Sequence, residues 1–426
     1  MAAKFKAPRG TFDVLPEQQP VRRRIERTAR EMLEAAGYGR IDTPVFEDTE
    51  LFARSVGEST DIVQKQMFTF EDQGGRSLTL RPEATASLCR AYLEHGMHKR
   101  AQPVKLWASG PFFRHERPQA GRYRQFSQID VEVIGSDSPL VDAELIVLLH
   151  DLLAELGVEG VRLSLGSLGS PGARVAYLEE LRAYLRSHER DLSKEVRERI
   201  DVNPLRAFDA DHEGTRKVMA EAPTMLDHLG DEDAEHFATV RKLLEREGVA
   251  YDLDPTLVRG LDYYTRTVFE FECERLGTQS GLGGGGRYDG LIEQLGGQPT
   301  PANGWALGVE RVALALGEEG RAPAALVFIV AEGEARDRAL ALATELRRAG
   351  LAADLDLGDR AVKGQMKQAD RVGARYALIL EDGGAPVLRD MRSGEQREIE
   401  PGRLAEELMR GRSEDARGLR EEPPVS

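Results

Sequence analysis

Cysteine is nearly absent: Cys89 and Cys273 are the only two in 426 residues, and they form no CxxC pair. That excludes a disulfide framework and fits a reducing, cytoplasmic compartment. Long apolar runs are missing as well. The longest, residues 324–331, falls far short of the ~20 residues that span a bilayer, so no membrane association is expected. The opening MAAKFKAPRGTFDVLP has lysines with no apolar stretch behind them, and no secretory signal is expected there. Positive charge is in deficit: 58 Lys and Arg against 73 Asp and Glu leave a net −15. This excludes a general nucleic-acid coat but leaves room for local basic patches such as Arg114, Arg117, Arg122 and Arg124, or Arg371, Arg375, Arg389 and Arg392. No GxxxxGK[ST] sequence occurs, so a nucleotide would not be held in a P-loop. His95 and His98 read as helix surface, and no metal site is expected.

The length calls for two or three domains. Pro20 opens a helix with Ile25, Ala29, Met32 and Ala36 at three- or four-residue spacing, stopped by Gly37 and Gly39. Ile41–Phe46 reads as an edge strand, because Pro44 cannot donate to a central ladder. A hairpin is expected from Met67–Phe70 and Ser77–Leu80, and a second strand pair from Lys105–Phe113 and Gln125–Gly135 around a charged loop. Helix follows over Asp142–Leu156. From about 171 to 250 strand signals vanish, then resume at Tyr251, the mark of a helical insertion into a sheet domain. After residue 323, apolar runs at Ala325–Val330, Ala352–Leu357 and Tyr376–Leu380 alternate with helical stripes, which predicts a small, mostly parallel α/β domain. Residues 413–426 carry too little apolar surface to pack and are expected to be disordered.

Three segments carry chemistry. Leu257–Glu270, LVRGLDYYTRTVFE, reads as a strand holding Arg259, Asp262 and Arg266 among apolar neighbours, where charge must be paired or serve a ligand. Close behind lies GGGGRYDGL, residues 283–291. Its glycines satisfy G-x-G-x-x-G, but RYDG follows where a dinucleotide fingerprint needs a helix, so a flexible turn is the plainer reading. Between Gln125 and Gly135, Ile129, Val131 and Val133 alternate with Gln128, Asp130 and Glu132. Period two puts the polar trio on one sheet face. Water is the ordinary destination of such a face; Phe126, which shares it, argues otherwise.

These segments resemble the signature motifs of the histidyl-tRNA synthetases, a family of class II aminoacyl-tRNA synthetases. LVRGLDYY and GGRYDGL are similar to the family's two histidine motifs, and the strand–loop–strand around FFRHERPQAGRYRQF resembles class II motif 2. GWALGVER (304–311) is similar to motif 3, and the first helix with Pro44 loosely to motif 1. RPEAT (81–85) is similar to TLRPEGT, with Ala84 where many relatives have glycine. The resemblance covers roughly residues 4 to 412. It implies an α+β fold: a class II antiparallel-sheet catalytic domain over 1–323 with the helical insertion, then an α/β anticodon-binding domain over 324–412.

It further implies ATP-dependent attachment of L-histidine to its tRNA through histidyl-adenylate, by a cytoplasmic homodimer. Arg259 and Arg114 would be catalytic at the α-phosphate. Glu83, Ala84, Thr85, Arg114, Gln128, Glu132, Arg259, Tyr263, Tyr264 and Tyr288 would bind histidine. Arg114, Glu116, Phe126 and Arg311 would bind ATP, and Gln119 and Arg122 would meet the tRNA acceptor end. Mg2+ is expected with ATP, without a dedicated protein site. The alternative that the resemblance leaves is a non-catalytic, histidine-sensing regulatory subunit of ATP phosphoribosyltransferase.

Overall fold

The computed structural model describes residues 5–57, 60, 62–317 and 326–409. They form two compact units, one carrying a large sheet and one at the C-terminal end. The expected boundary at 323 and the expected disordered tail lie outside the described residues.

Helix α1 (Gln19–Ala35) forms where Val21, Ile25, Ala29 and Leu33 recur on one face, and that face is buried. It ends at Gly37, whose φ of +83° suits a residue without a side chain. The strand expected at 41–46 does not form as one piece. Gly39–Arg40 (β1) and Phe46–Asp48 (β2) are separate short strands in different sheets. The backbone between them is occupied elsewhere: the buried Arg81 guanidinium takes the Thr43 carbonyl at 3.0 Å. Helix α2 (Thr49–Val56) follows, then the hairpin of β3 (Phe68–Glu71) and β4 (Ser77–Leu80), which β2 completes as a three-stranded sheet.

After helix α3 (Thr85–Glu94) comes the long pair β5 (Val104–Phe113) and β6 (Gln125–Ile134), then α4 (Pro139–Glu155) and β7 (Val161–Ser167). The insertion contributes α5 (Pro171–Ser187), α6 (Lys194–Arg199), α7 (Glu213–Met219) and α8 (Asp231–Arg246). Sheet structure resumes with β8 (Asp252–Leu253), β9 (Thr265–Cys273), β10 (Gly281–Arg287) and, past the short α9 (Leu291–Gln294), β11 (Ala302–Gly308), which runs into α10 (Val309–Leu316). The eight-stranded order is β1-β5-β6-β11-β10-β9-β7-β8, antiparallel except for its two edge pairs.

One face of this sheet is apolar and covered. Ile129, Val131, Val133, Phe269, Phe271, Trp305 and Leu307 pack there against α1, α4, α8 and α10. The glycine run is therefore no turn but a central strand, β10. A Cβ at Gly285 would lie 1.8 Å from the Gly304 carbonyl oxygen on β11, so only glycine permits these two backbones their close approach. The insertion has a small core of its own around Tyr177, Leu181, Val196 and Met225, while α8 reaches back onto α4.

A charged node lies inside the junction. Asp142 on α4 and Arg287 at the end of β10 are both fully buried and form an ion pair. The Asp142 carboxylate also accepts from Asn303 of β11 at 2.8 Å and from His236 of α8 at 2.8 Å. Arg287 adds the Ser136 carbonyl at 2.9 Å and the Ser138 carbonyl at 3.2 Å. Burial alone would raise the Asp142 pKa; His236 and Arg287 outweigh it and hold the carboxyl below its ordinary value.

The C-terminal unit orders its strands β13-β12-β14-β15-β16: β12 (Val327–Ala331), β13 (Ala353–Leu355), β14 (Tyr376–Leu380), β15 (Val387–Asp390) and β16 (Gln396–Glu398). Helices α11 (Ala335–Arg348) and α12 (Val362–Arg371) cover opposite faces. Val327 and Ile329 face α11, and Phe328 and Val330 face α12. The sheet is mixed instead of mostly parallel, since β15 and β16 add two antiparallel pairings. No helix among the described residues is long and apolar enough to cross a membrane.

Breaking the node should be costly. Asp142→Ala removes the closest counter-charge of a buried guanidinium and leaves it only Asp289 at 3.2 Å, and it is expected to destabilise the first unit by about 3–5 kcal/mol in urea unfolding of the full chain. A loss under about 1 kcal/mol would show that Arg287 is satisfied by Asp289 and its carbonyl partners without Asp142.

Candidate active site

The opposite face of the large sheet, covered in part by Cys89 and Tyr92 of α3 and Leu291 and Ile292 of α9, lines a cavity of about 640 Å³. The polar trio of β6 points here and not into water, as the company of Phe126 argued: Asp130 is 2% exposed and Glu132 1%. Gln128 and Asp130 line the wall directly.

Two arginines arrive from distant stretches. Arg114 follows directly on β5; its Nε donates to the Pro82 carbonyl at 2.8 Å, and its guanidinium lies 5.2 Å from the Phe126 ring. Arg259 stands on a loop, not on a strand. The reason is the sheet itself: β7 ends at Ser167 opposite Thr267 and β10 at Arg287 opposite Thr265, so residues 257–264 have no ladder to join. Arg259 Nη1 pairs with Glu270 at 2.7 Å, and the guanidinium carbon rests 5.9 Å from the centre of the Tyr264 ring. Burial works against its charge, and the Glu270 carboxylate more than offsets this, so its pKa is raised. Gly284 leaves it room, since a Cβ there would sit 3.1 Å from Arg259 Nη1.

A third arginine, Arg311, stands in the first turn of α10. It donates to the Gly281 carbonyl at 2.6 Å and the Gly121 carbonyl at 3.2 Å. Burial and then Arg122 lower its pKa, yet a guanidinium stays protonated at any ordinary pH. Arg122 itself pairs with Glu116 at 2.6 Å.

Opposite the arginines are acceptors without donors. Glu83 Oε1 accepts from the Ala86 amide at 3.0 Å, but Glu83 Oε2, Gln128 Oε1 and Asp130 Oδ2 are buried with no hydrogen-bond partner. Burial raises the pKa of both carboxyls. Orphan buried acceptors are rare in folded proteins, and a group of them lining one cavity suits a ligand bearing N–H donors and positive charge.

Behind them Glu132 accepts from Thr85 Oγ1 at 2.7 Å and from the Tyr288 hydroxyl. Tyr263 donates to Thr85 Oγ1 at 3.4 Å, and its ring meets those of Tyr264 at 4.7 Å and Tyr288 at 5.5 Å. Gly304 makes the space: a Cβ there would fall 1.7 Å from Glu132 Oε2. Burial pushes the Glu132 carboxyl up to about 8, against hydrogen bonds from Tyr288 and Thr85.

Of the residues expected from the sequence, Glu83, Thr85, Arg114, Glu116, Arg122, Phe126, Gln128, Arg259, Tyr263, Tyr264, Tyr288 and Arg311 line this one cavity. Ala84 is buried at the N-cap of α3, Glu132 stands one layer back, and Gln119 is exposed in the β5–β6 loop, bridged to Arg122. Gly284 lines the cavity, whereas Gly285 and Gly286 serve strand contact. Sequence reading missed Asp209, Glu270 and Glu272, which also line it. The two glutamates were accessible to it, because they alternate with Phe269 and Phe271 along β9. Asp209, in an irregular part of the insertion, gave no such signal. Among the described residues no group of three or more His, Cys, Asp and Glu could hold a metal ion.

A family model described as histidyl-tRNA synthetase matches residues 10–312. The chain belongs to the histidyl-tRNA synthetase family. A second model, described as an anticodon binding domain, matches residues 324–410. A histidine–tRNA ligase of Halorhodospira halophila is 50% identical over 402 residues, covering 91% of this chain and 94% of that protein. Another, of Halothermothrix orenii, is 47% identical and covers 95% and 99%. Among solved structures, apo S. aureus histidyl-tRNA synthetase superposes with a TM-score of 0.79 at 37% identity, covering 95% of this chain and 99% of that one. A Bacillus halodurans protein described as an ATP phosphoribosyltransferase regulatory subunit/histidyl-tRNA synthetase gives 0.65 at 26% identity, covering 86% and 97%.

The Glu132 titration has a testable sign. Its carboxyl is raised from 4.5 to about 8 in the folded protein. Between those values the folded state holds a proton that the unfolded state has released, so stability falls as pH rises through this window. Measured by denaturation from pH 5 to 9, the wild type should lose stability relative to Glu132→Gln; parallel pH curves would refute the assignment.

Proposed function

We propose that this chain charges tRNA with L-histidine in two steps. A histidine carboxylate oxygen attacks the α-phosphorus of ATP, pyrophosphate leaves, and histidyl-adenylate forms. The terminal ribose hydroxyl of the tRNA then attacks the acyl carbon, and AMP leaves. The observation that carries this reading is the convergence of Arg114 and Arg259 on one cavity with the unpartnered acceptors of Glu83, Gln128 and Asp130. In-line displacement at phosphorus needs positive charge on the equatorial oxygens and little covalent help from the protein.

On this reading Arg114 and Arg259 flank the α-phosphate, and Arg114 also holds the substrate carboxylate, a use suited to its planar fork. Adenine stacks on Phe126 with Glu116 near its amino group, and Arg311 takes the γ-phosphate. The histidine ammonium meets Glu83, Gln128 and Thr85. Its imidazole, one donor and one acceptor, is read by Glu132 with Tyr288 and Tyr264. A pocket built from polar groups rejects apolar analogues by about 10⁴-fold, because its own groups would be left unpaired. Mg2+ would enter with the ATP phosphates and supply charge there; Glu270 and Glu272 are cavity carboxylates of suitable chemistry to share it.

Gln119 and Arg122 would meet the acceptor end, which fits their exposure in the β5–β6 loop. The C-terminal domain would hold the anticodon. Assembly as a homodimer through α1 and the segment around Pro44 is supported by the exposed apolar side chains Val45, Phe46 and Phe70, and the cytoplasm is the proposed compartment.

Histidine-dependent exchange of pyrophosphate into ATP tests the first step; histidine binding without exchange would favour the regulatory-subunit reading. Arg259→Ala is expected to lower exchange by about 10²–10³ while histidine affinity moves only a few-fold. An equal loss in both would refute a role at phosphorus. A chain ending at residue 320 should lose far more tRNA charging than exchange, and unaltered charging would refute the anticodon assignment.

A further inference from the structure

The loop bearing Arg259 takes much of its frame from the helical insertion. Its own backbone amides reach Asp254 O from Leu257 at 3.3 Å and Val56 O from Asp262 at 3.3 Å. On the C-terminal side of Arg259 insertion side chains hold Gly260, Asp262 and Tyr264. Arg206, in the 3-10 turn Pro204–Ala207, donates Nη2 to the Gly260 carbonyl at 2.7 Å and lies 3.8 Å from Asp262 Oδ1. Asn203 donates Nδ2 to that same Asp262 oxygen at 2.9 Å. Arg174, near the start of α5, donates to the Tyr264 carbonyl at 2.5 Å. The other arm of Arg206 holds Asp209 at 3.2 Å, and Asp209 lines the cavity that Arg259 enters. Behind the loop lies a second cavity of about 200 Å³, lined by Leu178, Val202, Asn203, Val258 and Tyr264, so the loop has space into which to shift.

We propose that Arg206 and Asn203 are positioning residues for Arg259, and that the helical insertion thereby sets the geometry of adenylate formation. The proposal rests on the ligase reading. A loop without a sheet ladder has few bonds to hold a guanidinium at one spot, and a displacement of about 1 Å at a reacting centre costs roughly 10²-fold in rate. Arg206 is suited to the task because its fork bonds the Gly260 carbonyl and the Asp209 carboxylate together, whereas a lysine offers one point charge. Any movement of Pro204–Ala207 is carried to the residue next to Arg259.

The test is single-turnover adenylate formation by the full chain, with histidine affinity measured separately by equilibrium binding. Arg206→Ala should slow the step by about 10- to 100-fold while histidine affinity stays within about threefold. Arg206→Lys should recover part of the rate. In an Arg259→Ala background the same substitution should add almost nothing, because the effect runs through Arg259. Additive losses in the double variant, or an unaltered rate in Arg206→Ala, would overturn the proposal. Should Arg206→Ala unfold, Asn203→Ala and Arg206→Lys at wild-type melting temperature carry the test, with unaltered rates in both counting against it. If the wild type forms no adenylate, the ligase reading fails; if wild type and Arg206→Ala are equally active, this inference alone fails.

Discussion

The buried pairing of Asp142 with Arg287 is the constraint on which the rest of the first unit turns. Both side chains are removed from water, a state that only near-complete satisfaction of their bonding groups makes tolerable. The partners that achieve it come from α4, β10, β11 and α8, so one carboxylate ties the sheet to the helices behind it and to the end of the insertion. Arg287 is followed at once by Tyr288, whose hydroxyl meets Glu132. The position of that hydroxyl is thus tied to an ionic contact one residue away, between two side chains that do not line the cavity.

From that anchor the division of labour between the two faces of the sheet follows. One face is a continuous apolar layer under four helices; the other carries carboxylates, arginines and tyrosines around a cavity. Charges with such different requirements can share a small volume because β10 is almost bare of side chains. Its glycines bring neighbouring backbones close and leave Arg259 lying across Gly284. Raised carboxyl pKa values at Glu83, Asp130 and Glu132 are the electrostatic counterpart: desolvation favours their neutral forms until a cationic partner arrives.

Much of this was legible in the residues. Alternation along β6 gave the polar face, the hydrophobic periodicity gave α1, α4 and the insertion, and the motif resemblances brought together twelve side chains that do line one cavity. What was not legible depends on partners far away in the chain. Leu257–Glu270 has the composition of a strand, yet half of it is loop because β7 and β10 run out. A run of glycines reads as a turn unless β9 and β11 are known to lie on either side. Ile41–Phe46 was diverted by Arg81, a side chain just past the end of β4 and far away in the sequence. Strand β15 has only Val387 and Leu388 as apolar residues and β16 is polar and exposed, runs too short for composition to announce them.

The fit of Gly304 beneath Glu132 has an evolutionary consequence. A single added methyl group would claim the place of a carboxylate oxygen, so neither position can change size alone without losing the hydrogen bonds to Thr85 and Tyr288. Remodelling the proposed histidine pocket for a bulkier amino acid, whether by selection or by engineering, would need coordinated replacement on two adjacent strands. On the proposed reading, stepwise drift along this route gives up the Thr85 and Tyr288 contacts before it gains space, which would keep the choice of amino acid narrow even when much of the surface varies.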